Sequence, residues 1–218
     1  MMAQGNVAIA LDHLRSQILN FTLLPGMKIS DDEIAKALAM SRTPVREALN
    51  RLMDQGLVEA RHNRGFVVKI FTKKEVEDNY ILRESLECLA VRLAIPMLDP
   101  GKIGTFQELL STYPDVMKSN NLAQYNQVDE QFHHLIAKYS ANSVLYDTLQ
   151  NIQGRIRIIR RYDHLRTTSF LETYEEHEKI LNQMIQRDTQ RAIEAMSQHI
   201  LCSMKTVIET LSGYNRPD

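Results

Sequence analysis

The sequence predicts a mainly α protein: three short helices and a β-hairpin, then an all-α bundle of six to seven helices. Three observations carry this. Apolar residues recur at helical spacing through most of the 218 residues. Only Leu57 to Ile70 has the short β-prone runs of a hairpin. Gly is scarce, at 8 residues, and Trp is absent, whereas good helix formers abound.

The first helix follows from Val7, Leu11, Leu14, Ile18 and Leu19, which lie on one face. LLPG, Leu23 to Gly26, ends that pattern in a turn. Ser30 before Asp31, Asp32 and Glu33 reads as an N-cap followed by an acidic first turn, which suits the positive end of a helix dipole. Ile34, Ala35 and Leu38 then point inward. Ser41 is expected to cap the third helix, and Pro44 is tolerated in its first turn. Val45, Ala48, Leu49, Leu52 and Met53 form its apolar stripe, and Gly56 ends it. LVEA and FVVKI flank HNRG, whose Asn63 and Gly65 suit a tight turn. Beyond Thr72 helical patterns run over about 73–95, 101–118, 122–139, 143–161, 168–186 and 189–212, with breaks marked by Pro96/Pro100/Gly101, by Pro114 or Ser119–Asn121, by Asn142 and by Thr167. The expected division is 1–70, a linker at 71–74, and 75–218.

Charge and composition exclude several classes. The net charge is −1, so a nucleic-acid site must be a local patch. The first 70 residues hold 9 Lys and Arg against 7 Asp and Glu, and five arginines cluster between 42 and 64. No basic segment followed by a long apolar run opens the chain, and no stretch approaches a membrane span, so a cytoplasmic protein is expected. Cys88 and Cys202 lie far apart and outside any CxxC, which reads as two buried thiols in a reducing compartment.

Three helices, a short turn before the third, then a hairpin is the plan of a winged helix-turn-helix. Its third helix enters the major groove by its N-terminal end and buries its opposite face. Arg42 and Arg46 lie one turn apart, opposite the apolar stripe. An arginine fork can bind guanine O6 and N7 together, or a phosphate. The candidate DNA-contacting set is Ser41, Arg42, Thr43, Arg46 and Arg51 on that helix, with Arg61, His62, Arg64 and Gly65 on the wing.

The run PGMKISDDEIAKALAMSRTPVREALNRLMDQGLVEARHNRGFVV resembles the DNA-binding domain of the GntR family of bacterial transcription regulators, over about residues 7–70. The resemblance implies binding to double-stranded operator DNA as a homodimer, with Arg42, Thr43, Arg46 and the wing around His62–Gly65 in contact. It departs at Asp31 and Asp32, which stand at the start of the second helix where some members carry a basic DNA-contacting residue.

In the bundle, polar residues interrupt apolar stripes. Asp129 and His133, spaced i, i+4, border the stripe Tyr125, Val128, Phe132, Leu135, Ile136 and Tyr139. His177 sits among Phe170, Tyr174, Leu181 and Met184, and His199 among Ala192, Met196, Ser203 and Val207. One buried histidine is commonly a satisfied core residue. Three on separate helices, with an aspartate, can satisfy one another by sharing a divalent transition metal such as Zn, Ni or Mn. The pattern D-x3-H, EHEKI and a final QHI is similar to the FCD effector-binding domain of FadR-type GntR regulators, over about 75–212. That similarity implies metal ligands at Asp129, His133, His177 and His199 and a small organic acid as effector. Arg83 either pairs with Glu87 at i+4 or grips the effector carboxylate. A ligand-responsive transcription factor, not an enzyme, is the leading expectation. The competing one is a metal-dependent hydrolase that activates water at the same four residues.

Overall fold

Val7, Ala10, Leu14 and Ile18 recur at steps of three and four and are all buried on one side of the first helix. The computed structural model describes residues 2–62, 65–119, 122–160 and 170–214. Their contacts form two compact units, residues 1–72 with Gln153–Arg160, and Lys73–Ile152 with the segments beyond 160.

The first unit contains α1 (Met2–Leu19), β1 (Lys28–Ile29), α2 (Asp31–Ala37), α3 (Arg42–Asp54), β2 (Val58–Arg61) and β3 (Gly65–Val68). Helix α1 packs on α3, and α2 on α3. Ser30 caps α2, its hydroxyl accepting from Glu33 N at 3.2 Å. Ser41 occupies the cap position of α3, but its side chain makes no capping hydrogen bond. Gly56 has φ +72° after α3, a conformation that favours glycine. The wing is antiparallel, with Val58 opposite Val68 and Arg61 opposite Gly65. Unlike the expected two-stranded wing, the sheet has a third strand, β1, paired with β3 in the order β1-β3-β2. Gly26 N and Val68 N bond Val68 O and Met27 O, each at 2.9 Å, which brings this strand in.

Residues 153–160, the second half of α8 (Ser143–Arg160), cluster by their contacts with the first unit. Arg155 Nε donates to Gln55 O at 2.8 Å, and Gly154 faces Leu57 so closely that a Cβ there would lie 3.3 Å from its Cδ2.

The second unit contains α4 (Lys73–Ala94), a 3₁₀ turn at Ile95–Met97, α5 (Pro100–Ser111), α6 (Tyr113–Ser119), α7 (Leu122–Tyr139), part of α8 (Ser143–Arg160), α9 (Phe170–Ile185) and α10 (Thr189–Tyr214). The helix expected over 101–118 is two helices. Thr112 closes α5, and Pro114, which has no N–H to donate, falls in the first turn of α6. Asp99 caps α5 by accepting from Lys102 N at 2.9 Å. Helix α4 packs on α10 and α7. Phe106 sits edge-on to Phe132, with centroids 5.6 Å apart. The thiol expectation is corrected for Cys202, which is exposed on α10, while Cys88 is half-buried.

Candidate nucleic-acid interface and metal centre

Helix α3 buries Val45, Ala48, Leu49 and Leu52. That choice of face leaves Ser41, Arg42, Thr43, Arg46 and Arg51 exposed. The arginines of this face are paired within the unit. Arg42 donates from its NH2 group to Asp31 Oδ1 at 2.8 Å, and Arg46 Nε lies 3.7 Å from Asp31 Oδ2. One carboxylate at the start of α2 thus holds both guanidiniums. Arg51 pairs with Glu47 one turn earlier, at 2.7 Å. On the wing Arg61 pairs with Glu59 at 2.6 Å, and His62 is exposed. Gly65 opens β3 with φ +70°, which suits glycine. Arg64 lies outside the described residues.

In the second unit, Asp129 and His133 come from α7, His177 from α9 and His199 from α10. All four are buried, and one ligand atom of each lies within 4.8 Å of the others. Asp129 Oδ1 is 3.7 Å from His177 Nε2, and Asp129 Oδ2 is 4.0 Å from His133 Nε2. His133 Nε2 and His199 Nε2 stand 3.2 Å apart. The Phe132 ring stacks on His177 at 4.0 Å and 13°, which fixes the plane of that imidazole. Each histidine has a partner on its outer side: Glu87 Oε2 for His133 Nδ1, Tyr113 Oη for His177 Nδ1 at 2.8 Å, and Glu176 Oε2 for His199 Nδ1 at 2.6 Å.

Arg83 and Glu87 lie on the buried stripe of α4, Val76, Tyr80, Arg83, Glu87, Ala90 and Ala94. Arg83 Nε donates to Glu87 Oε1 at 2.7 Å. Burial opposes the charge on Glu87, but the His133 ring and the Arg83 guanidinium overcome it and hold the carboxyl down at about 2. Burial pushes His133 below its ordinary value, so the imidazole is neutral near pH 7.

The donor set fits a divalent transition ion. Carboxylates can only accept, so a neutral ring that faces Glu87 or Glu176 through Nδ1 places its proton there and leaves its Nε2 lone pair for a cation. Two lone pairs facing at 3.2 Å repel in the protein alone and attract across a shared cation. That spacing lies between the ~3.0 Å and ~3.4 Å chords that right-angle and tetrahedral ligands make at bond lengths of about 2.1 Å.

Residues 8–68 match the family described as bacterial regulatory proteins, gntR family. Residues 78–201, more than half of the chain, match the FCD domain. The chain belongs to the GntR family and carries an FCD domain. The Nta operon transcriptional regulator of Aminobacter aminovorans is 30% identical over 195 residues, which cover 89% of this chain and 91% of that protein. Escherichia coli McbR/YncC shares the fold of this GntR/FCD regulator at a TM-score of 0.80 and 23% identity, over 96% of this chain and 99% of that one. The Zn2+-bound FCD domain of TM0439 matches at a TM-score of 0.55 and 20% identity, over 66% of this chain and 99% of its own. The family and these relatives are transcriptional regulators, which sets the hydrolase reading aside. No helix among the described residues is long and apolar enough to cross a membrane.

Proposed function

We propose that this regulator binds double-stranded operator DNA as a homodimer and responds to a small carboxylate effector bound at a divalent metal in its FCD domain. The observation that carries the sensing half is the convergence of Asp129, His133, His177 and His199, buried from three helices, with two Nε2 atoms at ligand spacing. The Zn2+-bound FCD domain of TM0439 supports the same reading by likeness of fold. When bound, the ion supplies a Lewis-acidic anchor for a carboxylate. Arg83 Nε pairs with Glu87, one of the two roles expected for it, and its terminal guanidinium nitrogens are kept here as the proposed grip on the effector carboxylate.

The DNA-reading half rests on the exposed face of α3. Arg42, Thr43 and Arg46 present forks and a hydroxyl to base edges and phosphates, with Ser41 and the α3 N-terminus toward the backbone. Arg51 and the wing residues Arg61, His62, Arg64 and Gly65 complete the set. The effector changes operator affinity only in so far as it binds the DNA-competent and incompetent arrangements unequally.

A thermal-shift screen of small carboxylates with and without Zn2+, Ni2+ and Mn2+ tests the sensing half, because a ligand of the native state raises apparent stability. The expected result is a metal-dependent rise that His177→Ala abolishes. No shift with any of the ions would remove this reading. Operator binding at fixed salt tests the other half: unchanged affinity in Arg42→Ala/Arg46→Ala removes it.

A further inference from the structure

We propose that Glu87 and Glu176 pin His133 and His199 with their protons on Nδ1 before any cation arrives, whereas His177, held by the two-way hydroxyl of Tyr113, is the adaptable ring of the site. The proposal rests on the metal reading above for its purpose, but the pinning is a property of the metal-free protein. The chemistry of the three outer partners is what separates the rings. A carboxylate accepts and never donates, so a neutral imidazole facing one through Nδ1 must place its proton there. Glu176 Oε2 lies 2.6 Å from His199 Nδ1, and Glu87 Oε2 contacts His133 Nδ1. A phenol hydroxyl can donate or accept, so the 2.8 Å contact from Tyr113 to His177 Nδ1 fits either tautomer.

The surroundings of His177 agree. Its Nε2 faces Asp129 Oδ1 at 3.7 Å, so a proton on Nε2 points at a carboxylate. For Nε2 to serve as a ligand, one ring proton has to move from Nε2 to Nδ1, with the Tyr113 hydroxyl turning from donor to acceptor. Stacking on Phe132 keeps the ring plane through that exchange. The two pinned rings need no such exchange, and their Nε2 atoms already stand at ligand spacing.

The two carboxylates are also supported unequally. Glu87 is buried and held in turn by Arg83, whereas the Glu176 side chain is 37% exposed. Glu87 is therefore a fixed post, and Glu176 is the positioning residue that can be removed with least damage to the core. Partners of metal-binding histidines typically change metal affinity by about 10- to 100-fold when lost.

The test is long-range 1H–15N correlation on full-length, metal-free protein with 15N-labelled histidine, the rings assigned by loss of signals in single His→Gln variants. Zn2+ affinity is measured by calorimetry on the same samples. The expected result is the Nδ1–H form for His133 and His199 in the unmodified chain. Glu176→Ala should release His199 from that form and weaken Zn2+ about 10- to 100-fold, with Glu176→Gln, which retains an acceptor, restoring part of the loss. Tyr113→Phe should leave the His133 and His199 signals in place. Finding either pinned ring as Nε2–H in the unmodified protein overturns the proposal, as does unchanged Zn2+ affinity in Glu176→Ala. If both rings are Nδ1–H but Zn2+ does not bind, the metal reading fails and the pinning stands.

Discussion

Each unit of this regulator contains a carboxylate that holds arginine, Asp31 in one and Glu87 in the other, and the two live in opposite environments. Asp31 holds Arg42 and Arg46 on the outside of the DNA-binding unit, where the arginine side chains are 56% and 62% exposed. Glu87 holds Arg83 inside the FCD domain, where both side chains are about 95% covered, at 6% and 5% exposure. In water the attraction is screened and a phosphate can take the aspartate's place at little cost. In the core both groups are cut off from bulk water and tied into a network with His133 and the Tyr80 ring, so the pair is locked and transmits order to His133. The same chemistry therefore yields an exchangeable contact in one unit and a fixed scaffold in the other.

The largest expected effect tests the locked pair. Glu87→Ala removes the carboxylate that faces the buried Arg83 guanidinium and should cost about 3–5 kcal/mol of stability, read as a lowered denaturant midpoint. A loss under about 1 kcal/mol would show that the pair is not locked. Arg42→Ala and Arg46→Ala should each weaken operator binding by about 1–3 kcal/mol in fluorescence anisotropy and flatten its salt dependence, with little change in stability.

Acid sharpens the comparison through the buried groups. The folded-state value of His133 is lowered, so its contribution is full above the ordinary 6.5 and is lost as pH falls below that point. The folded-state value of Glu87 is also lowered, so its contribution is full above 4.5 and is lost as pH falls from there towards about 2. The melting temperature of the metal-free protein should thus be level near pH 7–8 and fall in two stages on acidification. A curve flat down to pH 5 would contradict the first stage. The smallest effect belongs to Asp31→Ala, which should change stability by under about 1 kcal/mol while altering operator affinity, since it releases Arg42 and Arg46, the proposed DNA contacts. If it unfolds the protein as readily as Glu87→Ala, the contrast between the two environments is wrong.

Much of this was legible in residue order. The apolar spacing of α3, Gly56 behind it and the alternating wing predict the winged unit. The i, i+4 relation of Asp129 and His133 and the stripes around His177 and His199 single out the residues that converge. The sequence signals missed other features for identifiable reasons. Strand β1 is two residues long, too short for any periodicity, and depends on Val68 to pair. The stripe Val76, Tyr80, Arg83, Glu87, Ala90 and Ala94 steps by four and three without interruption, so Glu87 was readable as a core position as well as a partner for Arg83. Tyr113 and Glu176 carried no such sign, because each acts on a histidine of a distant segment or of another helix.

Sequence alone determined which residues turn inward, because side-chain direction on a helix follows from a repeat of about 3.6 residues and needs no partner to be known. It also determined the chemical kind of both sites: guanidiniums at the start of one helix, imidazoles and a carboxylate within others. Only the tertiary structure decided which nitrogen of each imidazole faces its neighbours and which carboxylate stands behind it. Those choices depend on contacts between helices far apart in the chain, such as Glu87 with His133 and Glu176 with His199. Packing sets these through distance and hydrogen-bond direction, and no local repeat encodes them.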